Sequence, residues 1–415
     1  MRRQAAPRSP ERPLRILMVC PRYLPETGGA EMHVHEVTRR LPALGRFDVT
    51  VLTTDRSRRL PRQEMVEGLP VLRVPAWPRH RDYYLAPGIA AVVGQRRWDL
   101  VHCQGIHTPV PWLAMISARR AGLPYLVTFH TGGHSSRLRN ALRAAQWRLA
   151  GPLLRGAASL VAVSRFEADA LARHARLGAR RVTVIRNGGT LPSPRAGTAA
   201  VPGRIVSSGR LERYKGHHRV IEALPHVMRE VPEAHLMILG SGPYQGNLTV
   251  LARRLGVGDR VSIRHVAPAD RQGMATALAE ASVVAALSDY EAHPVAVMEA
   301  LSVARPVVGN DVAGLGELVA EGWVRGVPPG APPAAIAREL VQAMSSPSLM
   351  NHARLPSWES CTDQLAHVYL SSLGLGNGSY HAEVRKARPG QIHPRNSAEG
   401  TISFPGILTT VLGDY

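Results

Sequence analysis

Three observations on this 415-residue sequence predict an α/β fold of two doubly wound, Rossmann-like parallel sheets facing a cleft. Short apolar β-type runs alternate with helical patterns. A segment rich in Pro, Gly and small residues, Thr190 to Gly203, splits that alternation into two similar halves. The chemically distinctive residues fall just after β-type runs, where open α/β sheets place their ligands.

In the first half, Arg15–Cys20, Val49–Thr53, Val71–Val74, Leu100–His102, Tyr125–Phe129 and Ser159–Val163 are too short for helices. They are largely aliphatic and read as strands buried on both faces. Val182–Ile185 closes this half. In the second half Arg204–Ser208, Ala234–Leu239, Val261–Ile263, Ala281–Ala286 and Pro306–Val308 repeat the pattern. The expected organisation is a disordered start over residues 1–13, an N-terminal domain over 14–190, a linker over 191–203, a C-terminal domain over 204–350, a closing helical segment over 351–373 and a poorly ordered extension over 374–415.

The apolar runs are far shorter than the ~20 residues that span a bilayer, and the basic start has no 7–15-residue apolar region behind it. A cytoplasmic protein is expected, with peripheral contact at the inner membrane face left open. Cys20, Cys103 and Cys361 are too scattered for a disulfide framework or a zinc site and read as buried free thiols. A net charge of +20 invites a nucleic-acid reading. The arginines are spread along the whole chain and aromatics are only 5%, so no nucleic-acid partner is expected. Anionic partners that remain are a nucleotide sugar and an acidic membrane surface.

Lys215 and Lys386 are the only lysines among 51 basic residues, so Lys215 is not generic surface charge. It follows Gly209-Arg210-Leu211 at the corner after Arg204–Ser208, a normal place for a pyrophosphate whose growing charge Arg210 and Lys215 would neutralise. The plainer alternative is a solvated basic loop. Glu291 sits in the loop after Ala281–Ala286, and Glu299 about two turns along a helix entered through His293-Pro294. Glu291 suits sugar hydroxyls and Glu299 a ribose diol, while uncharged Val295–Met298 leave helix amides for a phosphate. Taken alone, two glutamates at that spacing are common surface residues. Gly28 and Gly29 open a helix after the first strand, which by itself is an ordinary βα turn.

With these segments in order, the chain resembles the retaining GT-B glycosyltransferases of family four over roughly residues 14 to 372. The resemblance rests on Gly28-Gly29-Ala30-Glu31, Thr128-Phe129-His130, Val163-Ser164-Arg165-Phe166, Ile185-Arg186-Asn187-Gly188, Gly209-Arg210-Leu211 with Lys215-Gly216, Glu291 through Glu299, and Pro306–Val308 followed by Glu317. It implies a nucleotide diphosphate held by the C-terminal domain and an acceptor held by the N-terminal domain. Arg210 and Lys215 match the pyrophosphate ligands, Glu299 the ribose ligand, Glu291 the donor-sugar contact, and His130 the histidine near the reacting sugar. Gly28 and Gly29 match the turn that lets the backbone approach the donor phosphate. The family works without a bound metal, and the chain has no Asp-x-Asp pair.

Departures are Ala292-His293-Pro294 in place of a glycine-rich stretch whose amides contact the sugar, Asn187-Gly188-Gly189-Thr190 in place of Asn-Gly-Val-Asp, and His265-Val266 where relatives carry glycine. Gly133, His134 and Ser135, in the polar loop after His130, are expected on the acceptor side. Arginines 139, 143 and 148 read as a solvated face or as a contact with anionic lipid.

The expected activity is transfer of a hexose or N-acetylhexosamine from a UDP-sugar to an acceptor hydroxyl, with no cofactor. The acceptor is a small alcohol such as an aminocyclitol of secondary metabolism, or alternatively a lipid-linked or polysaccharide intermediate. A sugar-nucleotide epimerase would share the architecture but isomerise the donor, and a degenerate binding protein would lack donor hydrolysis without its partner.

Overall fold

The computed structural model describes residues 12–79, 83–130, 137–177, 182–345 and 355–375, with the backbone alone for 137–144. Strands of the first half are β1 (Leu14–Val19), β2 (Phe47–Asp55), β3 (Gln63–Val66), β4 (Leu69–Pro75), β5 (Leu100–Gln104), β6 (Tyr125–Thr128), β7 (Ser159–Ala162) and β8 (Thr183–Val184). They form one sheet in the order β3-β4-β2-β1-β5-β6-β7-β8. All neighbours pair in parallel except β3, which turns back on β4 through Glu67-Gly68, both in the left-handed region at φ 49° and 81°. Strands of the second half are β9 (Arg204–Ser208), β10 (His235–Leu239), β11 (Val261–Arg264), β12 (Val283–Ala286), β13 (Val307–Asn310) and β14 (Arg325–Val327). Their order, β11-β10-β9-β12-β13-β14, is that of a dinucleotide-binding Rossmann sheet.

The helices are α1 (Gly29–Thr38), α2 (Gly88–Gly94), α3 (Pro109–Ala121), α4 (Arg137–Gly156), α5 (Arg165–His174), α6 (His217–Glu230), α7 (Gln245–Arg254), α8 (Arg271–Ala279), α9 (Val295–Ser302), α10 (Ala313–Ala320), α11 (Pro333–Ser345) and α12 (Trp358–Ser372). Their starts have local causes. Ser164 caps α5 by accepting from Glu167 N at 3.2 Å, while Glu167 reaches back to Val163 N at 2.9 Å. Pro294, at φ −72°, leads into α9.

The last helix among the described residues does not stay with the second half. Trp358, Cys361, Leu365, Tyr369 and Leu370 of α12 pack with Ile16, Met18, Val49 and Leu126 of the first sheet. Tyr369 Oη lies 2.7 Å from His102 Nδ1 of β5. The three cysteines are free and buried. No helix among the described residues is long and apolar enough to cross a membrane.

Two strands lie outside the sequence expectations. The β3 run Gln-Glu-Met-Val is an edge strand with little apolar content, and β14 is three residues with a central glycine. Neither carries a periodic apolar signal. The expected features over residues 1–11 and 376–415 lie outside the described residues.

Candidate functional site

A cleft of about 760 Å³ opens between the carboxyl ends of the two sheets. Gly28, Gly29, His130, Arg210, Lys215, Glu291, Ala292, His293, Pro294, Val295 and Glu299 all line it. Gly133, His134 and Ser135 lie outside the described residues, as does the side chain of Arg139 and of Arg143. Arg148 is an exposed residue of α4.

The cationic corner is built by the turn after β9. Gly216 sits at φ 75°, and a Cβ there would stand 1.9 Å from Leu287 O, so only glycine fits. His217 stiffens the turn: its Nδ1 lies 2.8 Å from Ser207 Oγ and its Nε2 3.3 Å from Arg210 O. Lys215 Nζ donates to Glu291 Oε1 at 2.6 Å, and Ser288 Oγ donates to the same oxygen at 2.8 Å. Burial pulls the Lys215 pKa down, but Glu291 and Tyr214 together outweigh it and the net shift is upward, so the ammonium stays charged. Arg210 donates to Tyr214 Oη at 3.0 Å and is likewise held charged against its burial by Tyr214, Glu212 and Glu31.

Facing this corner are the starts of two helices. The α1 start comes from the first half and the α9 start from the second, and a Cβ on Gly29 would lie 4.0 Å from Val295 Cγ2. A Cβ on Gly28 would stand 2.5 Å from a Glu31 carboxylate oxygen and 4.0 Å from Arg210 Nε. Among the described residues no side chain caps the start of α1, which leaves its first amides for a ligand, with the Glu31 carboxylate beside them.

Glu299 lies on α9 and is 4% exposed. Arg271, the first residue of α8, donates to its Oε1 at 2.5 Å. Burial raises the Glu299 pKa, opposed by Arg271, with a net upward shift.

On the other wall His130 Nε2 lies 2.7 Å from Gln104 Oε1. That oxygen can only accept, so Nε2 carries the proton and Nδ1 is an acceptor. Burial, reinforced by His33, His102 and His107, pushes the His130 pKa well down, and the ring is neutral. His33 packs edge-on against it at 4.6 Å and meets Asn187 Oδ1 at 2.9 Å. Asn187 Nδ2 in turn donates to His293 O at 2.8 Å. The Asn187-Gly188-Gly189 departure thus still joins the two halves. Glu317 of α10 adds a second tie, accepting from Phe166 N and from Arg165 N at the start of α5.

Arg271, His33, Gln104 and Asn187 acquire their site roles only in the fold. Asn187 stood inside a recognised segment, whereas Arg271 carried no signal beyond following the capping residue Asp270. Among the described residues no group of three His, Cys, Asp or Glu is placed to hold a metal ion.

Residues 27–189 match the family model Glycosyltransferase Family 4, and residues 198–354 match Glycosyl transferases group 1. A glycogen synthase of Mycobacterium tuberculosis is 30% identical over 343 residues, covering 74% of this chain and 81% of that protein. A D-inositol 3-phosphate glycosyltransferase of Streptomyces bingchenggensis is 28% identical over 419 residues, covering 87% and 90%. Among solved structures, HepE of Anabaena in complex with UDP and glucose superposes with a TM-score of 0.65 at 20% identity, covering 86% of this chain and 100% of that one.

Proposed function

The chain belongs to the GT-B glycosyltransferases of family 4 and group 1, and on that footing we propose that it is a retaining, metal-independent transferase moving a hexose or N-acetylhexosamine from a UDP-sugar to an acceptor hydroxyl. The observation that carries this reading is the convergence of Arg210, Lys215, Glu291 and Glu299, with two open helix starts, on one cleft. Such a site has places for a diphosphate, a sugar and a ribose in line.

The diphosphate lies against Arg210, Lys215 and the amides at Gly28 and Gly29. As the bond from the anomeric carbon to the phosphate oxygen breaks, charge grows on the phosphate and the two cations stabilise it. The acceptor oxygen attacks from the same face, and its proton passes to the departing phosphate oxygen, which keeps the anomeric configuration. Glu291, steadied by Lys215 and Ser288, accepts from donor-sugar hydroxyls. Ala292, His293 and Pro294 line the same sugar, and the Val295 N–H at the start of α9 contacts it, Pro294 having no N–H of its own. Neutral His130 accepts a sugar hydroxyl at Nδ1, and Glu299 takes the ribose diol. UDP is the favoured nucleotide because the Anabaena protein above was solved with it.

The acceptor is a small polyhydroxylated alcohol, a reading supported by the D-inositol 3-phosphate glycosyltransferase relative. A lipid-carried acceptor is the second reading. It is favoured by the net charge of +20 and by a face where Trp77 and Leu85, paired across a β-bridge, are 67% and 56% exposed. Titration calorimetry with uridine, guanosine and adenosine diphosphate sugars, against a Lys215→Ala control, tests the donor site. Micromolar binding of one UDP-sugar that the variant loses is expected, and no binding of any nucleotide sugar overturns the reading.

A further inference from the structure

We propose that Arg271 is a positioning residue that keeps the Glu299 carboxylate ionised and aimed at the ribose diol of the donor, and so sets how donor affinity depends on pH. The inference rests on the donor-site reading above and deepens it.

Glu299 is almost wholly buried, and a bare carboxylate there would take up a proton to escape the cost of desolvation. A protonated Glu299 offers one fewer acceptor oxygen to two vicinal hydroxyls. Arg271 is the cation placed to prevent this. Its guanidinium donates to Oε1 only, and no hydrogen bond reaches Oε2 among the described residues. One oxygen is therefore held while the other serves a ligand in the cleft that both residues line. The ion pair orients the carboxylate without occupying it.

The remaining groups around Glu299 do not supply that charge. On α8, Asp270 is committed to capping Gly273 N at 2.7 Å. The α1 helix contributes Glu36, which opposes ionisation and is itself tied to Arg39 and Arg40. Neither β12 nor β13 carries a titratable side chain, and α9 has no other. Removing Arg271 thus leaves a buried carboxylate beside a like charge.

The test measures UDP and 2′,3′-dideoxy-UDP binding from pH 5.5 to 8.5 in the wild type, Arg271→Met and Arg271→Lys. The two nucleotides share their phosphates, so the ratio of their affinities isolates the diol. In the wild type that ratio is expected to exceed one at pH 7.5 and to fall only at the acid end. In Arg271→Met the fall is expected to move up by at least one pH unit, a loss of about twofold or more in the ratio at pH 6.5. Arg271→Lys restores the wild-type profile, which a merely structural arginine would not do. The inference is overturned if the ratio in Arg271→Met follows the wild-type curve, or if the wild type does not discriminate the diol at all. Failure of the wild type to bind either nucleotide sinks the donor-site reading itself.

Discussion

Lys215→Ala removes the one lysine among the described residues of the cleft and has a rate cost that can be worked from the geometry. The Lys215 side chain is 19% exposed and its Nζ sits 2.6 Å from Glu291, in a corner it shares with Arg210. A unit charge about 4 Å from Nζ interacts with it by ~4 kcal/mol at an effective dielectric of about 20. The donor diphosphate already carries charge before reaction, so only what develops on bond breaking counts toward kcat. That leaves ~3 to 4 kcal/mol, or about 10²- to 10³-fold in kcat, with at least as large a loss in kcat/KM.

The substitution also strands Glu291, 14% exposed, with only the Ser288 hydroxyl, which is expected to lower stability by ~1 to 3 kcal/mol. Glu291→Gln added to Lys215→Ala separates the two effects: thermal stability recovers and the rate does not. The assay is initial-rate kinetics on the UDP-sugar identified by calorimetry, with Tm from thermal unfolding. A loss of less than tenfold in kcat/KM, or full rescue by Glu291→Gln, refutes the charge-stabilisation argument.

Acid should weaken the fold through its buried imidazoles. Burial drives His33 to about 4 and His293 to about 3, while in the unfolded chain they titrate near 6.5. Between those limits the unfolded state binds more protons, so stability is full above about pH 6.5 and falls as pH drops toward 4. Each imidazole contributes a loss on the order of 3 kcal/mol, and His293→Leu should flatten a plot of Tm against pH. Gly216→Ala forces a Cβ against Leu287 O and should destabilise by at least ~2 kcal/mol, whereas Gly246→Ala, with nothing within 4 Å, should leave Tm unchanged or higher. Glu317→Ala strips the acceptor from the α5 start and should cost ~1 to 3 kcal/mol, read as a Tm lower by a few degrees.

Much of the architecture was legible because both sheets are parallel apart from the β3 edge and covered on both faces, which turns each interior strand into a short apolar run such as Ile16–Val19 or Leu236–Leu239. The edge strand β3 and the three-residue β14 carry no such run. The cleft residues were legible where chemistry and position coincide, as with Lys215 in a chain nearly devoid of lysine. Arg271 was not, since one arginine among so many has no distinguishing mark until α8 brings it to Glu299. Nor could periodicity foretell that α12, apolar like any other helix, would leave the half it follows and cover the first sheet.

That crossing has a bearing on synthesis. The second half draws its own cores from one continuous stretch, roughly residues 191 to 355. The first half is finished only when Trp358, Leu365 and Tyr369 arrive to cover Ile16 and Met18. As the chain leaves the ribosome, the part made first waits, one sheet face covered only by Val34, Val37 and Leu41, for a helix made after the whole second half, which is free to fold ahead of it. A stop codon just after residue 355 would therefore leave the cores of the second half whole and strip a covering helix from the first.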